Sequence, residues 1–165
     1  MIKDRLNVID GAASGVGKSL FDSMKAKGHI KFELFDVNGN LKLVKEIDNT
    51  VSAAGKNMIA EQLLASPTIA KPGWMELGTG TPGATKLGAY ITGSRTAFTS
   101  KTRANNVVTM VTTFAAGKGT GAITEAGVFN TATENAVDMI LYTNFGVITK
   151  AATDSLTITW TLTIN

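Results

Sequence analysis

The sequence predicts a mainly β protein: an antiparallel β-sandwich or jelly-roll-like domain with one α-helix and an extended N-terminal arm. Three observations lead there. The closing stretch Ser155–Asn165 alternates strictly, with Leu156, Ile158, Trp160, Leu162 and Ile164 on one face and Thr157, Thr159, Thr161 and Thr163 on the other. Successive strand side chains point to opposite faces, so this period of two describes a strand with one buried and one wet face. Asn38-Gly39 stands between two strand-like runs and is a strong hairpin signal. After Pro72, short strand patterns recur between turn-forming Gly, Thr, Pro and Asn residues, the spacing of an all-β domain.

Taken in order, residues 1–29 form the arm, rich in Gly, Ala, Ser and Lys. A short helix is predicted at Lys18–Lys27, capped by Ser19, with Leu20, Phe21 and Met24 on one stripe and Gly28 as its stop. The domain proper spans residues 30–165. It opens with the hairpin Ile30–Val37 and Leu41–Ile47, joined by Asn38-Gly39, a pair that tolerates the positive φ angles of a type I′ turn. A helix follows within Asn49–Ala65, where Met58, Ile59, Leu63 and Leu64 make an apolar stripe and Pro67 marks the end. The strands then expected are Trp74–Gly78, Arg95–Arg103, Asn106–Phe114, Ala122–Asn130, Val137–Phe145 and Ser155–Asn165. Gly117-Lys118-Gly119 reads as a hairpin loop rather than an anion nest.

Composition narrows the function. With 165 residues and 44% hydrophobic content, the chain suits one domain with a real core. The absence of cysteine removes disulfides and thiol catalysis, and the single histidine, His29, removes chemistry that needs histidine pairs. No metal and no cofactor is expected. No apolar run approaches the roughly 20 residues that span a bilayer, and the start Met1-Ile-Lys-Asp-Arg-Leu6 lacks the apolar core of a secretion signal. The net charge of +3 is spread thinly, with Arg95, Lys101 and Arg103 as the densest basic group, and aromatics are only 7%. Nucleic-acid modules concentrate charge and interleave aromatics for stacking, so neither nucleic acid nor membrane is an expected partner.

Several motifs tempt an enzymatic reading. Ala12–Ser19 fits a relaxed phosphate-loop pattern, and Gly11–Gly17 also fits the glycine turn of a dinucleotide site with Asp36 on the ribose. Both need a parallel α/β sheet downstream, whereas Asn38-Gly39 turns the first strand straight back as an antiparallel hairpin. A small-residue arm is the simpler account. Glu125 lies in a strand pattern among apolar neighbours without a visible partner for paired-carboxylate chemistry, which favours a carboxylate satisfied by backbone or arginine. His29 reads as a junction histidine, and Trp74 and Trp160 as core or interface anchors.

From residue 30 onward the chain resembles small β-rich structural proteins of tailed-phage virions, both capsid decoration (cement) and tail- or fibre-associated. The segments that carry the likeness are the hairpin Phe32–Asn40, Asn49–Asn57, Met75–Thr81 with Pro82, Gly119–Asn130 and Asp154–Thr161. These are turn-and-strand motifs with no chemistry of their own. The resemblance implies a non-enzymatic virion protein, foremost a capsid decoration subunit on the capsid surface. It would act as a homo-oligomer, a trimer, whose partners are its own copies and the major capsid protein or tail proteins. The alternatives are a tail, tail-fibre or adaptor protein and, from another class, a nucleotide-binding enzyme using Gly11–Ser19. In the first reading the arm of residues 1–29 staples neighbouring subunits, with Leu20, Phe21 and Met24 seated in a groove of the partner.

Overall fold

The computed structural model describes residues 25–165. Strands take 52% of the described residues and the single helix 6%, so the fold is mainly β, as expected. The elements are β1 (Ala26–Phe35), β2 (Leu41–Val51), α1 (Ala53–Glu61), β3 (Trp74–Gly78), β4 (Thr96–Ala97), β5 (Ser100–Ala104), β6 (Val107–Phe114), β7 (Gly121–Phe129), β8 (Met139–Lys150) and β9 (Ser155–Ile164). They form one nine-stranded sheet in the order β4-β3-β7-β8-β2-β1-β9-β6-β5. Every strand pairing in it is antiparallel.

The sheet is curled, and two strand switches explain how. Over Leu41–Asn49, β2 pairs with β1, but Thr50 and Val51 pair with Tyr142 and Leu141 of β8. One strand thus belongs to two halves of the sheet and turns the corner between them. The second switch lies where the sequence suggested one strand, Arg95–Arg103. The chain instead pairs with β3 through Thr96 and Ala97, breaks at Phe98 and Thr99, and pairs with β6 from Ser100 onward. The two edge strands of the sheet are therefore neighbours in sequence.

Both halves bury their inner faces in one cluster. Ile30, Phe32, Leu34, Leu156, Ile158 and Trp160 of β1 and β9 belong to the same core as Met75, Leu77, Ile123, Val128 and Ile148 of β3, β7 and β8. The alternation of β9 is observed as predicted, with Leu156, Ile158, Trp160 and Leu162 buried and the threonines between them partly exposed. Thr157 on the outer face meets Thr113 of β6, their hydroxyls 3.0 Å apart.

Three local expectations need correction. The β1–β2 hairpin forms, but its turn is not type I′. Gly39 N–H donates to the Asp36 carbonyl at 3.0 Å, and only Gly39 takes a positive φ, +81°. This is a type I turn followed by a left-handed glycine, the usual three-residue hairpin loop. The Asp36 carboxylate closes the loop, accepting from the backbone of Asn38 and Asn40 and from the Asn40 side chain. Those bonds, that from the Asn40 side chain first, hold its pKa below the ordinary carboxylate value.

The helix is shorter than its apolar stripe suggested. Asn49, Thr50 and Val51 end β2, and Ser52 caps the helix by accepting from Gly55 N–H at 2.9 Å. Met58 is buried, but Leu63 and Leu64 lie beyond the helix end and are 85% and 60% exposed. The third correction concerns the start. Ala26, Lys27 and Gly28 belong to β1, so the helix predicted through Lys27 does not reach its expected stop, and the boundary drawn at residue 29 falls inside a strand. Gly28 serves the sheet instead: a Cβ there would lie 1.6 Å from the Asn49 side chain opposite. Residues 1–24, with Leu20, Phe21, Met24 and the Gly11–Ser19 motif, lie outside the described residues.

Candidate functional site

The buried charges are tied into the frame of the domain. Glu125, on β7, is fully buried, and its carboxylate accepts three backbone N–H groups: Gly80 at 3.0 Å, Gly88 at 2.9 Å and Ala89 at 2.8 Å. This is the satisfied carboxylate the sequence favoured, with backbone rather than arginine as the partner. It fixes the loop that follows β3 onto the sheet, and Thr124 and Asn144 add bonds to the Gly80 carbonyl. Gly78 makes the approach possible, since a Cβ there would come within 2.4 Å of Glu125 Oε1.

Arg95 is the residue whose role sequence reasoning missed. Grouped there only with Lys101 and Arg103 as the densest basic group, it is buried under the loop that joins β7 to β8. Its guanidinium donates to Glu76 Oε2 at 3.1 Å and to the Thr131 carbonyl at 3.0 Å, and it stacks 3.5 Å from the Phe129 ring centroid. Asp138 approaches at 4.0 Å and itself accepts from the backbone of Asn130 and Thr131. Burial pushes the Glu76 carboxyl above its ordinary pKa, with Arg95 opposing that shift. A clue existed in hindsight. Glu76 sits mid-strand in Trp-Met-Glu-Leu-Gly, and a carboxylate buried at such a position needs an internal partner, a cation or backbone N–H groups.

The connectors at the opposite end of these strands are also clamped. Because β6 and β7 are not neighbours in the sheet, Gly117–Gly119 is no hairpin loop but a crossing between its two halves. Lys150, 1% exposed, donates to the Ala115 carbonyl at 3.0 Å, and Gly117 N–H donates to Ala152. Asp154 accepts from Lys42 at 2.7 Å and from Ala151 N–H. The Lys42 hydrogen bond is the first cause that holds the Asp154 carboxyl below its usual pKa. A carboxyl whose pKa is depressed on folding lends stability above its unfolded pKa and withdraws it as pH falls through the folded value. Asp154→Asn should therefore lower the melting temperature at neutral pH. The melting curves of variant and parent should converge once the pH lies below the ordinary carboxylate range, which melting scans across pH would read.

His29 faces outward on β1, its ring nitrogens 3.5 Å from Glu46 and 3.2 Å from Asp48 on the neighbouring strand. Trp74 is half-buried on β3, and Trp160 is fully buried in the core. Among the described residues, no group of three or more His, Cys, Asp or Glu side chains is placed to hold a metal ion.

The open feature of the domain is apolar. A cavity of about 510 Å³ lies between α1 and the β6–β9 region, lined by Met58, Ile59, Val108, Met110, Leu162 and Ile164, with Lys71, Lys101 and Arg103 also along it. A smaller hollow of about 240 Å³ shares Ile59 and Ile164 with it and reaches Ala26, the first residue of β1. Such a groove can bind apolar side chains, and its cations suit an occupant that carries negative charge. No protein-family model matches this chain, and no curated protein and no solved structure matches it either.

Proposed function

We propose that the protein is a non-enzymatic virion structural subunit of a tailed bacteriophage, foremost a capsid decoration protein with the curled sheet as a sandwich-like virion domain. The single observation that carries this reading is where the buried charge goes. Glu76, Arg95, Glu125, Lys150 and Asp154 all bond to loop backbone or to one another, which makes a stiff β-shell. The turn-and-strand likeness to phage virion proteins adds the context. In this reading copies of the domain cluster as a trimer, and the residues ahead of β1 reach neighbouring shell subunits. Many modest contacts engaged at once then give firm attachment without any one strong site.

Quantitative mass spectrometry of purified particles tests it. Hundreds of copies per particle fit decoration, whereas a few dozen or fewer move the protein to the tail, a fibre or an adaptor. Absence from particles refutes both. Nucleotide chemistry at Gly11–Ser19 has its own test in the full chain, which should melt at the same temperature with and without ATP or NAD. A native-state ligand at 100 times its Kd adds roughly 2.7 kcal/mol, an easily read shift. A saturable rise that vanishes in Lys18→Ala would reinstate the enzyme reading.

A further inference from the structure

We propose that the apolar groove beside α1 is the seat of the chain's own Leu20, Phe21 and Met24. The place where the described chain begins carries the inference. Lys25 exchanges two backbone hydrogen bonds with Asn165, which fixes the start of β1 against the end of β9. The next residue, Ala26, lines the smaller hollow together with Ile59 and Ile164, and those two residues also line the larger cavity. The described chain therefore begins at the lip of two adjoining hollows.

Leu20 stands five positions before Lys25, a span of about 7.5 Å as helix or about 17 Å fully extended. Either length keeps Leu20 and Phe21 within reach of the groove. The spacing of Leu20, Phe21 and Met24 puts them on one stripe if the segment is helical, as a groove lined by Met58, Met110 and Leu162 requires. Asp22 lies within the same segment and suits a groove that also carries Lys71, Lys101 and Arg103.

A segment tethered this closely is present at about millimolar effective concentration. A second copy at micromolar protein cannot match that with the same three side chains. The groove thus roots the arm on its own domain. This departs from the expectation that Leu20, Phe21 and Met24 seat in a partner. It also stands independently of the virion reading, because every measurement below uses the purified full chain.

The natural sequence has no cysteine, so a nitroxide on Ser23→Cys is the only label it accepts. In a chain with labelled Met and Val methyl groups, the signals of Met58 and Met110, which line only the larger cavity, should lose most of their intensity. Val37, in the hairpin loop at the far end of β1, should keep its own. Adding Phe21→Asp to the spin-labelled chain should restore much of the Met58 and Met110 signals. Spin-labelled protein without isotopes, mixed with isotope-labelled parent, should broaden nothing. Unbroadened groove signals in the single-chain sample would overturn the proposal, as would broadening that survives Phe21→Asp. Broadening in the mixed sample would overturn it in favour of a second copy as the occupant.

Discussion

Replacing Arg95 with leucine should destabilise the domain by about 3–5 kcal/mol, because it leaves the Glu76 carboxylate buried without its cation. Both side chains are almost wholly inaccessible, 2% and 1% exposed, so solvent offers no substitute partner. The loss exceeds that of one ion pair, since the guanidinium also holds the Thr131 carbonyl and covers the Phe129 ring. Glu76 gives the prediction a pH signature. Burial raises its carboxyl pKa even in the parent, and removing Arg95 takes away the foremost group that opposes that rise. A carboxyl with a raised folded pKa is least costly below its unfolded pKa and loses stability as pH rises through the folded one. The deficit of Arg95→Leu, read by urea denaturation, should therefore be smaller near pH 5 than near pH 8. The double variant Glu76→Leu/Arg95→Leu should recover part of the loss at high pH, since it removes the stranded charge. Equal deficits at both pH values would mean that Glu76 never bears the stranded charge, and that lost packing alone explains the cost.

What the sequence disclosed and what it hid divide along physical lines. Strands β6 and β9 were legible within a residue or so because a half-buried strand writes its period of two into the side chains, while β3 and β7, buried on both faces over most of their length, were legible from the turn residues that bound them. The corners were not legible. At Asn49–Val51 and again at Phe98–Thr99 the chain changes pairing partner, and backbone pairing leaves little trace in side-chain type. The same blindness turned one crossing into an apparent hairpin loop, since Gly117–Gly119 serves either connection equally well. Leu63 and Leu64 misled in the opposite direction. Their helical spacing suggested burial, yet the helix ends at Glu61 and leaves both in water. For the candidate site, Glu125 could be read as a satisfied carboxylate from its apolar neighbours. Arg95 could not be read as a buried cation, because its partners Glu76, Phe129 and Thr131 come together only when the sheet folds. The groove likewise draws its lining from α1, β5, β6, β8 and β9, which no local pattern unites.

Trp160→Ala should cost about 3–5 kcal/mol, while its neighbour Thr159→Ala should cost less than about 1. The two residues are adjacent in β9, so propensity and strand position are nearly matched and the face decides the difference. Trp160 is 0% exposed in the middle of the sheet, paired across to Ile30 of β1 and Met110 of β6. Its removal opens a cavity where the two halves of the curled sheet share their core, and the flanking strands are each pinned on their far side and cannot collapse into it. Thr159 stands on the outer face between Lys31 and Val111, where its truncation uncovers little apolar surface. Trp160→Phe separates volume from polarity. The indole Nε1 has no hydrogen-bond partner among the described residues, so phenylalanine removes an unsatisfied donor as well as part of a ring. Trp160→Phe should therefore lose well under half of what Trp160→Ala loses in chemical denaturation. A loss from Trp160→Phe as large as that from Trp160→Ala would show that the indole nitrogen is bonded in solution. A loss from Thr159→Ala as large as that from Trp160→Ala would place the register of β9 one residue away from the one described.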